Sequence, residues 1–331
     1  MTFKVTDAGI LTTIQDLGRV GHQSVGISPA GVLDYKSAIL ANLLLNNDPN
    51  AAVLEFNLRG ISFVVQKDTT IATAGAPMKL TINEEVRSIG RAYSLSKGDF
   101  VSFGMTTEGM RTYLAVAGGF KVDDVLGSSS THIRSNMGGF QGRALEVNDL
   151  LSYSGNNEIH FPLVVKEETA EKNNIIRIIE APNYDSFTEE SKMKLVDTQY
   201  EIGRSNDRMG IRLDGETLET RDGVHDVLSE PTQLGNIQVP KNGLPIILLS
   251  DRQTTGGYKR IASVIKVDLP KLVQLRPGEE IQFELVDLNT ATELYKKEMQ
   301  KILNKEYLNI SSEFSDYRRV EADRIMELLM R

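Results

Sequence analysis

Short apolar or alternating runs dominate the first 288 positions of this chain. Positions 61–65, 70–74, 78–82, 112–117, 175–180, 246–249, 263–267 and 281–286 are each long enough for a strand, and Gly, Pro, Asn and Asp punctuate them. That rhythm predicts a mainly β protein with few helices. Helical spacing is confined to three places. Over 33–45, Ala38, Leu40, Ala41, Leu44 and Leu45 form an apolar face behind Asp34, and shorter candidates cover 185–195 and 269–275. One phrase is echoed: Leu95-Ser-Lys-Gly-Asp-Phe-Val-Ser-Phe103 resembles Leu275-Arg-Pro-Gly-Glu-Glu-Ile-Gln-Phe283, with Leu145-Glu-Val-Asn-Asp-Leu-Leu-Ser-Tyr153 a looser copy. Each reads as a turn followed by an alternating strand.

The pattern changes twice. Positions 155–174 include a charged run from Lys166 to Asn174 and read as a linker, dividing an N-terminal β module (1–155) from a C-terminal one (175–288). From 290 to 331 the chain is rich in Glu, Lys and Arg. Two helices fit that extension, one with Leu294, Tyr295, Ile302 and Leu303 on a stripe, the other carrying Tyr317, Val320, Met326, Leu328 and Leu329. A helix packed on its own domain is the simpler expectation there than a partner-binding arm.

Composition narrows the classes of function. A net charge of −8 argues against nucleic acid or an anionic membrane as a partner held by bulk charge. No window approaches the length of an apolar membrane span, and the N-terminus lacks the apolar core of a secretion signal. The absence of cysteine excludes thiol nucleophiles, disulfides and zinc–thiolate sites, and fits a reducing cytoplasm. The four histidines show no metal-ligand spacing.

The densest chemistry follows the run at 246–249. Asp251, Arg252, Gln253, Thr254, Thr255, Gly256, Gly257 and Tyr258 come almost without interruption, six with hydrogen-bonding side chains and two glycines that let a ligand approach the backbone. A plain turn needs far less, so this segment reads as a recognition loop at the end of a rigid strand. Three other segments offer related chemistry. Arg208 follows Ser205-Asn-Asp and either captures a carboxylate or phosphate with its planar fork or braces a loop. Gln233 and Gln238 can each donate and accept in one plane, as a cyclic amide or ureido ring requires, or can bracket backbone. The glycine turn 138–143 carries Gln141 and Arg143 and could cradle an anion, but it lacks the Gly-Lys-Ser/Thr of a P-loop. Near the N-terminus Gln15, Asp16, Arg19, His22 and Asp34 add polar side chains beside glycines, with Asp34 placed to cap a helix.

Taken in order, Thr12-Thr-Ile-Gln-Asp-Leu-Gly-Arg19, Ser28-Pro-Ala-Gly-Val-Leu-Asp34, Ala115-Val-Ala-Gly-Gly119, Gly138-Gly-Phe-Gln-Gly-Arg143, Asn206-Asp-Arg-Met-Gly-Ile-Arg-Leu213, Ile237-Gln-Val-Pro240 and the loop 251–258 resemble the allophanate hydrolase subunit 2, or biotin-dependent carboxyltransferase, family. The resemblance spans roughly residues 1–288 and weakens beyond. It implies two cyclophilin-like β-barrel modules and a sister subunit of the allophanate hydrolase subunit 1 type. Among members, a stand-alone chain of this kind is most similar to the C subunits of ATP-dependent 5-oxoprolinases, which act with a B subunit and a lactam-utilisation A subunit to open 5-oxo-L-proline to L-glutamate. In that reading Arg252, Gln253, Thr254 and Thr255 are the catalytic candidates. Arg208, Gln238, Gly256, Gly257, Tyr258, Arg143 and Gln141 would bind substrate, and ATP would sit on or be shared with a partner subunit. Other members serve urea carboxylation with biotin-borne carboxylate. No Met-Lys-Met biotin-attachment motif is present here, since Met78-Lys79 and Met193-Lys194 are each followed by Leu, so any biotin would be carried by another chain. A third role in the family is regulatory: sequestering a sister subunit that inhibits a sensor kinase. The turn Ser205-Asn-Asp-Arg208 departs from the family's usual Ser-Asn-Arg, which bears on Arg208.

Overall fold

A computed structural model of the chain describes residues 2–155, 163–166 and 174–310. The mainly β expectation holds: these residues form a closed seven-stranded barrel, two larger open sheets and two small ribbons, with four α-helices. The strands before Ser152 form two antiparallel sheets. One runs Leu150–Ser152, Thr2–Asp7, Ser62–Val65, Phe100–Thr106, Met78–Ile82, Glu85–Arg87 in spatial order, and the other Thr13–Gln15, Val53–Asn57, Arg111–Val116, Thr69–Gly75, Ala92–Leu95. They pack face to face, because alternate residues of each point inward. Phe3, Val5, Phe63, Leu80, Val101 and Phe103 from the first sheet share one core with Leu54, Phe56, Ile71, Leu114 and Val116 from the second.

The intervening residues of the second sheet, Val53, Ala72, Ala74, Tyr113 and Ala115, face the other way, onto helix α1 (Tyr35–Leu44). Three of those five are alanine, which lets the helix approach closely. The helix is consequently buried from Ala38 to Leu44 without a break, so the apolar face expected from the sequence is only part of its contact. Asp34 caps α1 as expected, accepting from the Ser37 amide at 2.9 Å.

The barrel closes from strands Ile175–Glu180, Arg260–Val264, Asn236–Gln238, Ile246–Leu248, Gly210–Asp214, Gln199–Ile202 and Glu280–Leu285 in that order. Helices α2 (Glu189–Asp197) and α3 (Leu269–Gln274) flank it. The strand expected at 263–267 lies three residues upstream. The Arg260 side chain finds an anionic partner in Glu230, so the strand can open on that buried cation. Helix α2 likewise starts later than the expected 185, because Thr188 caps it by accepting from the Ser191 amide at 3.1 Å.

The echoed phrase is one turn used three times. In each copy the amide of the first residue donates to the side-chain carboxylate three positions on: Ser96 to Asp99 at 2.7 Å, Arg276 to Glu279 at 2.5 Å, and Glu146 to Asp149 at 2.8 Å. The third residue of each turn has positive φ, at Gly98 (96°), Gly278 (91°) and Asn148 (77°). Asparagine tolerates that region better than other non-glycine residues, which is why the looser copy still turns.

Helix α4 (Leu288–Leu303) confirms the first helix of the extension. It packs not on the barrel alone but back across to α1: Tyr295 meets Tyr35 edge-on at 6.2 Å, Glu298 pairs with Lys36 at 3.2 Å, and Ile302 is fully buried in the core beneath α1. The strand Leu308–Ile310 then pairs with Leu163–Val165, inside the segment read as a linker. The second helix expected in the extension, with Tyr317, Val320, Met326, Leu328 and Leu329, lies outside the described residues, as does most of the charged run at 166–174. Among the described residues no helix is long and apolar enough to cross a membrane.

Candidate functional site

Strand Ile246–Leu248 does deliver its polar loop to a fixed place. Beyond the strand, the Leu249 amide donates to Met209 O at 2.8 Å and the Asp251 amide to Arg208 O at 2.9 Å. Two more residues are therefore held against the 208–210 segment before the chain turns, with the Arg252 amide on Leu249 O at 3.2 Å. Thr232 then pins the loop. Its amide donates to Thr254 O at 2.9 Å and its hydroxyl donates to Gln253 O. Finally Thr255–Tyr258 pairs with Asp226–Pro231 as a two-stranded ribbon.

Two arginines flank this turn with opposite electrostatics. Arg208 is buried against carboxylates: Nε and Nη2 each lie 3.0 Å from an Asp251 oxygen, Nη1 donates to Glu55 and Nη2 also reaches Gly31 O. Burial alone would lower its pKa, but Asp251 and Glu55 outweigh that and hold it well above the ordinary value. Glu55 in turn accepts from Tyr113 Oη at 2.7 Å and from the Leu33 amide at 2.9 Å. The Arg208 fork is thus filled by the protein's own acceptors, and the bracing alternative describes what Arg208 does here. Glu55 lies on the sandwich sheet and Asp251 after a barrel strand, so the three residues join the two β systems.

Arg252 is as deeply buried, at 5% exposure, but among the described residues it has no carboxylate. Among the described residues its contacts are two long ones to neutral oxygens, Leu249 O and Gln23 Oε1, both at 3.3 Å, and Nε has no partner there. Burial, with no opposing charge, lowers its pKa to about 10, so the guanidinium stays protonated at neutral pH. A buried cation without a counter-ion is costly unless something else supplies one.

Gln238 carries a second unsatisfied donor. It is 3% exposed and its Nε2 has no partner among the described residues. A Cβ built on Gly256 would lie 2.4 Å from that nitrogen, so Gly256 is small in order to admit the Gln238 amide rather than a ligand directly. At Gly257 the nearest atom to such a Cβ is Val227 O at 3.6 Å, an ordinary contact. The Gln23 amide links these groups, with Nε2 donating to Thr232 O and reaching toward Thr254 O at 3.5 Å while Oε1 faces Arg252. Arg252, Gln238, Thr254 and Gly256 are thereby brought into one neighbourhood, rimmed by the exposed side chains of Gln253, Thr255 and Tyr258.

Arg143 and Gln141 are not drawn into it by any hydrogen bond among the described residues. Arg143 makes a two-point pair with Asp149, 2.8 Å on each side, and Gln141 Oε1 lies 3.3 Å from the same guanidinium. That fork, too, is occupied by an internal carboxylate. Sequence reading passed over Gln23, Thr232 and Glu55. Glu55 left a signal, a lone carboxylate inside the apolar strand Val53–Asn57. Gln23 and Thr232 left none, being ordinary polar loop residues.

The family model of the carboxyltransferase domain, subdomains A and B, matches residues 25–285. The chain belongs to that family. It is 34% identical over 293 residues to the 5-oxoprolinase C subunit of Haemophilus influenzae, covering 88% of this chain and 94% of that protein. It is 35% identical over 288 residues to the 5-oxoprolinase C subunit of Escherichia coli, covering 87% and 92%. The crystal structure of urea amidolyase from K. lactis superimposes with a TM-score of 0.87 at 29% identity, over 95% of this chain but only 20% of that one. The carboxyltransferase fold of the urea carboxylases is thus shared, while the chain spans about a fifth of the urea amidolyase.

Proposed function

We propose that this chain is one subunit of an ATP-dependent 5-oxoprolinase and that Arg252 holds the carboxylate of the lactam acid. The observation that carries this reading is the buried guanidinium of Arg252, without a counter-ion among the described residues, together with the unsatisfied Gln238 amide. A substrate that is both an anion and a cyclic amide supplies what each group lacks. The near full-length similarity to two 5-oxoprolinase C subunits supports the same assignment. A lactam carbonyl is a poor electrophile. Transfer of the γ-phosphoryl group of ATP to its oxygen releases ADP, and water then adds to the activated carbon. The ring C–N bond breaks with the nitrogen taking a proton, and a second water displaces phosphate to leave glutamate. This chain's part would be positioning: Arg252 for the carboxylate, the Gln238 amide for the ring, and Gln253, Thr254 and Thr255 as the candidates to meet the oxygen as charge develops. The nucleotide would lie mainly on partner subunits of the B and A types.

The test is release of ADP and glutamate from 5-oxoproline by the co-expressed A, B and C subunits. With Arg252→Met, kcat/KM should fall by on the order of 10². The melting temperature should hold or rise, since an uncompensated buried cation is removed. Undiminished release without this chain overturns the proposal.

A second reading is carboxyl transfer between carboxybiotin on another chain and a small amide such as urea. The likeness to urea amidolyase favours it, and the Gln238 amide suits a ureido ring equally. Activity abolished by avidin would select it over the first.

A further inference from the structure

Arg252 and Gln238 both come from the barrel side of the molecule, but of the two oxygens that Arg252 meets only Leu249 O does. Gln23 stands on the short 3-10 turn Gln23–Val25, far upstream in the chain. Its two amide ends are not interchangeable. Nε2 is tied to Thr232 O and faces Thr254 O, and carbonyls can only accept, so Oε1 must turn the other way, toward Arg252 Nη2 at 3.3 Å. A glutamate has the same shape but no donor for those carbonyls, and its charge would pair with the guanidinium. The molecule shows the effect of such pairing at Arg208, equally buried, where Glu55 and Asp251 fill the fork. The partner, not the depth of burial, separates the two arginines.

We infer that Gln23 is a positioning residue that holds the Arg252 guanidinium in place without neutralising it, so that the anion site is completed from the opposite part of the fold. The Nε of Arg252, buried and without a partner among the described residues, is the donor that an anion would satisfy. The inference rests on the reading in which Arg252 takes an anionic group, but its test can be separated from that reading.

The experiment uses the full chain, isotopically labelled, and follows the Arg252 Nε–H resonance, assigned by its loss in Arg252→Lys. Gln23→Glu should move that resonance and slow its exchange with water, because a carboxylate then pairs with the guanidinium. Gln23→Met, which keeps the length but neither polar end, should speed the exchange. Titration with 5-oxo-L-proline should weaken at least about 10-fold in Gln23→Glu, the scale of a lost charge-assisted hydrogen bond. Neutral 2-pyrrolidinone, which lacks the carboxylate, should show no such loss. An Arg252 resonance unmoved in both variants overturns the inference, whatever the titration gives. If the resonance responds as expected but 5-oxoproline does not bind the wild-type chain or its assembled complex, the positioning role stands and the substrate assignment falls.

Discussion

Replacing Arg208 with methionine tests the strongest energetic claim made by this fold. The side chains of Arg208, Glu55 and Asp251 are 7%, 5% and 9% exposed, so the change strands two carboxylates in the interior. Glu55 would keep Tyr113 and the Leu33 amide, whereas Asp251 would lose both of the contacts that hold its oxygens. Removing one partner from a buried ion pair costs roughly 3–5 kcal/mol, and with one carboxylate left bare the upper part of that range applies. For a chain of this size the melting temperature should drop by about 8 °C or more. The chain has no tryptophan, so unfolding is followed by far-ultraviolet circular dichroism rather than by indole fluorescence. The deficit should also depend on pH with a definite sign. Burial without a counter-charge penalises the ionised form of a carboxylate, so the variant is least impaired on the acid side and loses stability as pH rises. Combining Arg208→Met with Glu55→Gln and Asp251→Asn should recover much of the loss, because the triad then carries no charge. A deficit below about 1 kcal/mol, or one that grows toward acid, would refute the argument that the triad is a buried electrostatic tie.

Two smaller predictions follow from local geometry. Gly256→Ala should lower catalytic efficiency and disturb the Gln238 amide, because its Cβ would fall 2.4 Å from Nε2, whereas Gly257→Ala, with 3.6 Å of clearance, should behave as wild type in the same assay. At the cap of α1, burial raises the Asp34 pKa despite bonds from Ser37 and Gln274. Its contribution is therefore present at low pH and lost as pH rises above the ordinary carboxylate range. Asp34→Asn, which preserves the cap, should make stability less dependent on pH there, read by thermal melts across a pH series.

Much of the architecture was legible because it is written locally. Alternation in runs such as 78–82 and the Asp34-capped helix need only neighbouring residues to be read, and the thrice-used turn is recoverable from a carboxylate three positions after its first amide. Arg252 and Gln238 could be nominated from residue type and company. Whether an arginine is a brace or a binding group could not, because that depends on what faces it. Asp251 and Glu55 face Arg208 from two different β systems, while Gln23 faces Arg252 from a loop with no distinguishing pattern. Long-range partnership is a property of the folded arrangement, and no spacing rule encodes it. The path of α4 was hidden for the same reason: its stripe showed that it would pack, but Ile302 carried no mark of the α1 core it enters.

That return has a consequence for how the molecule is made. Lys305 reaches Asn46 across 259 positions, and Ile302 and Leu308 seal the core beneath α1 from the same late stretch. At typical synthesis rates the ribosome needs roughly 10–50 s to cover that interval. Throughout it, the outer face of the five-stranded sheet and its helix stand without their final cover, next to strands already able to pair. The nascent chain therefore carries a timed exposure of apolar surface, and the point of greatest aggregation risk comes just before α4 emerges.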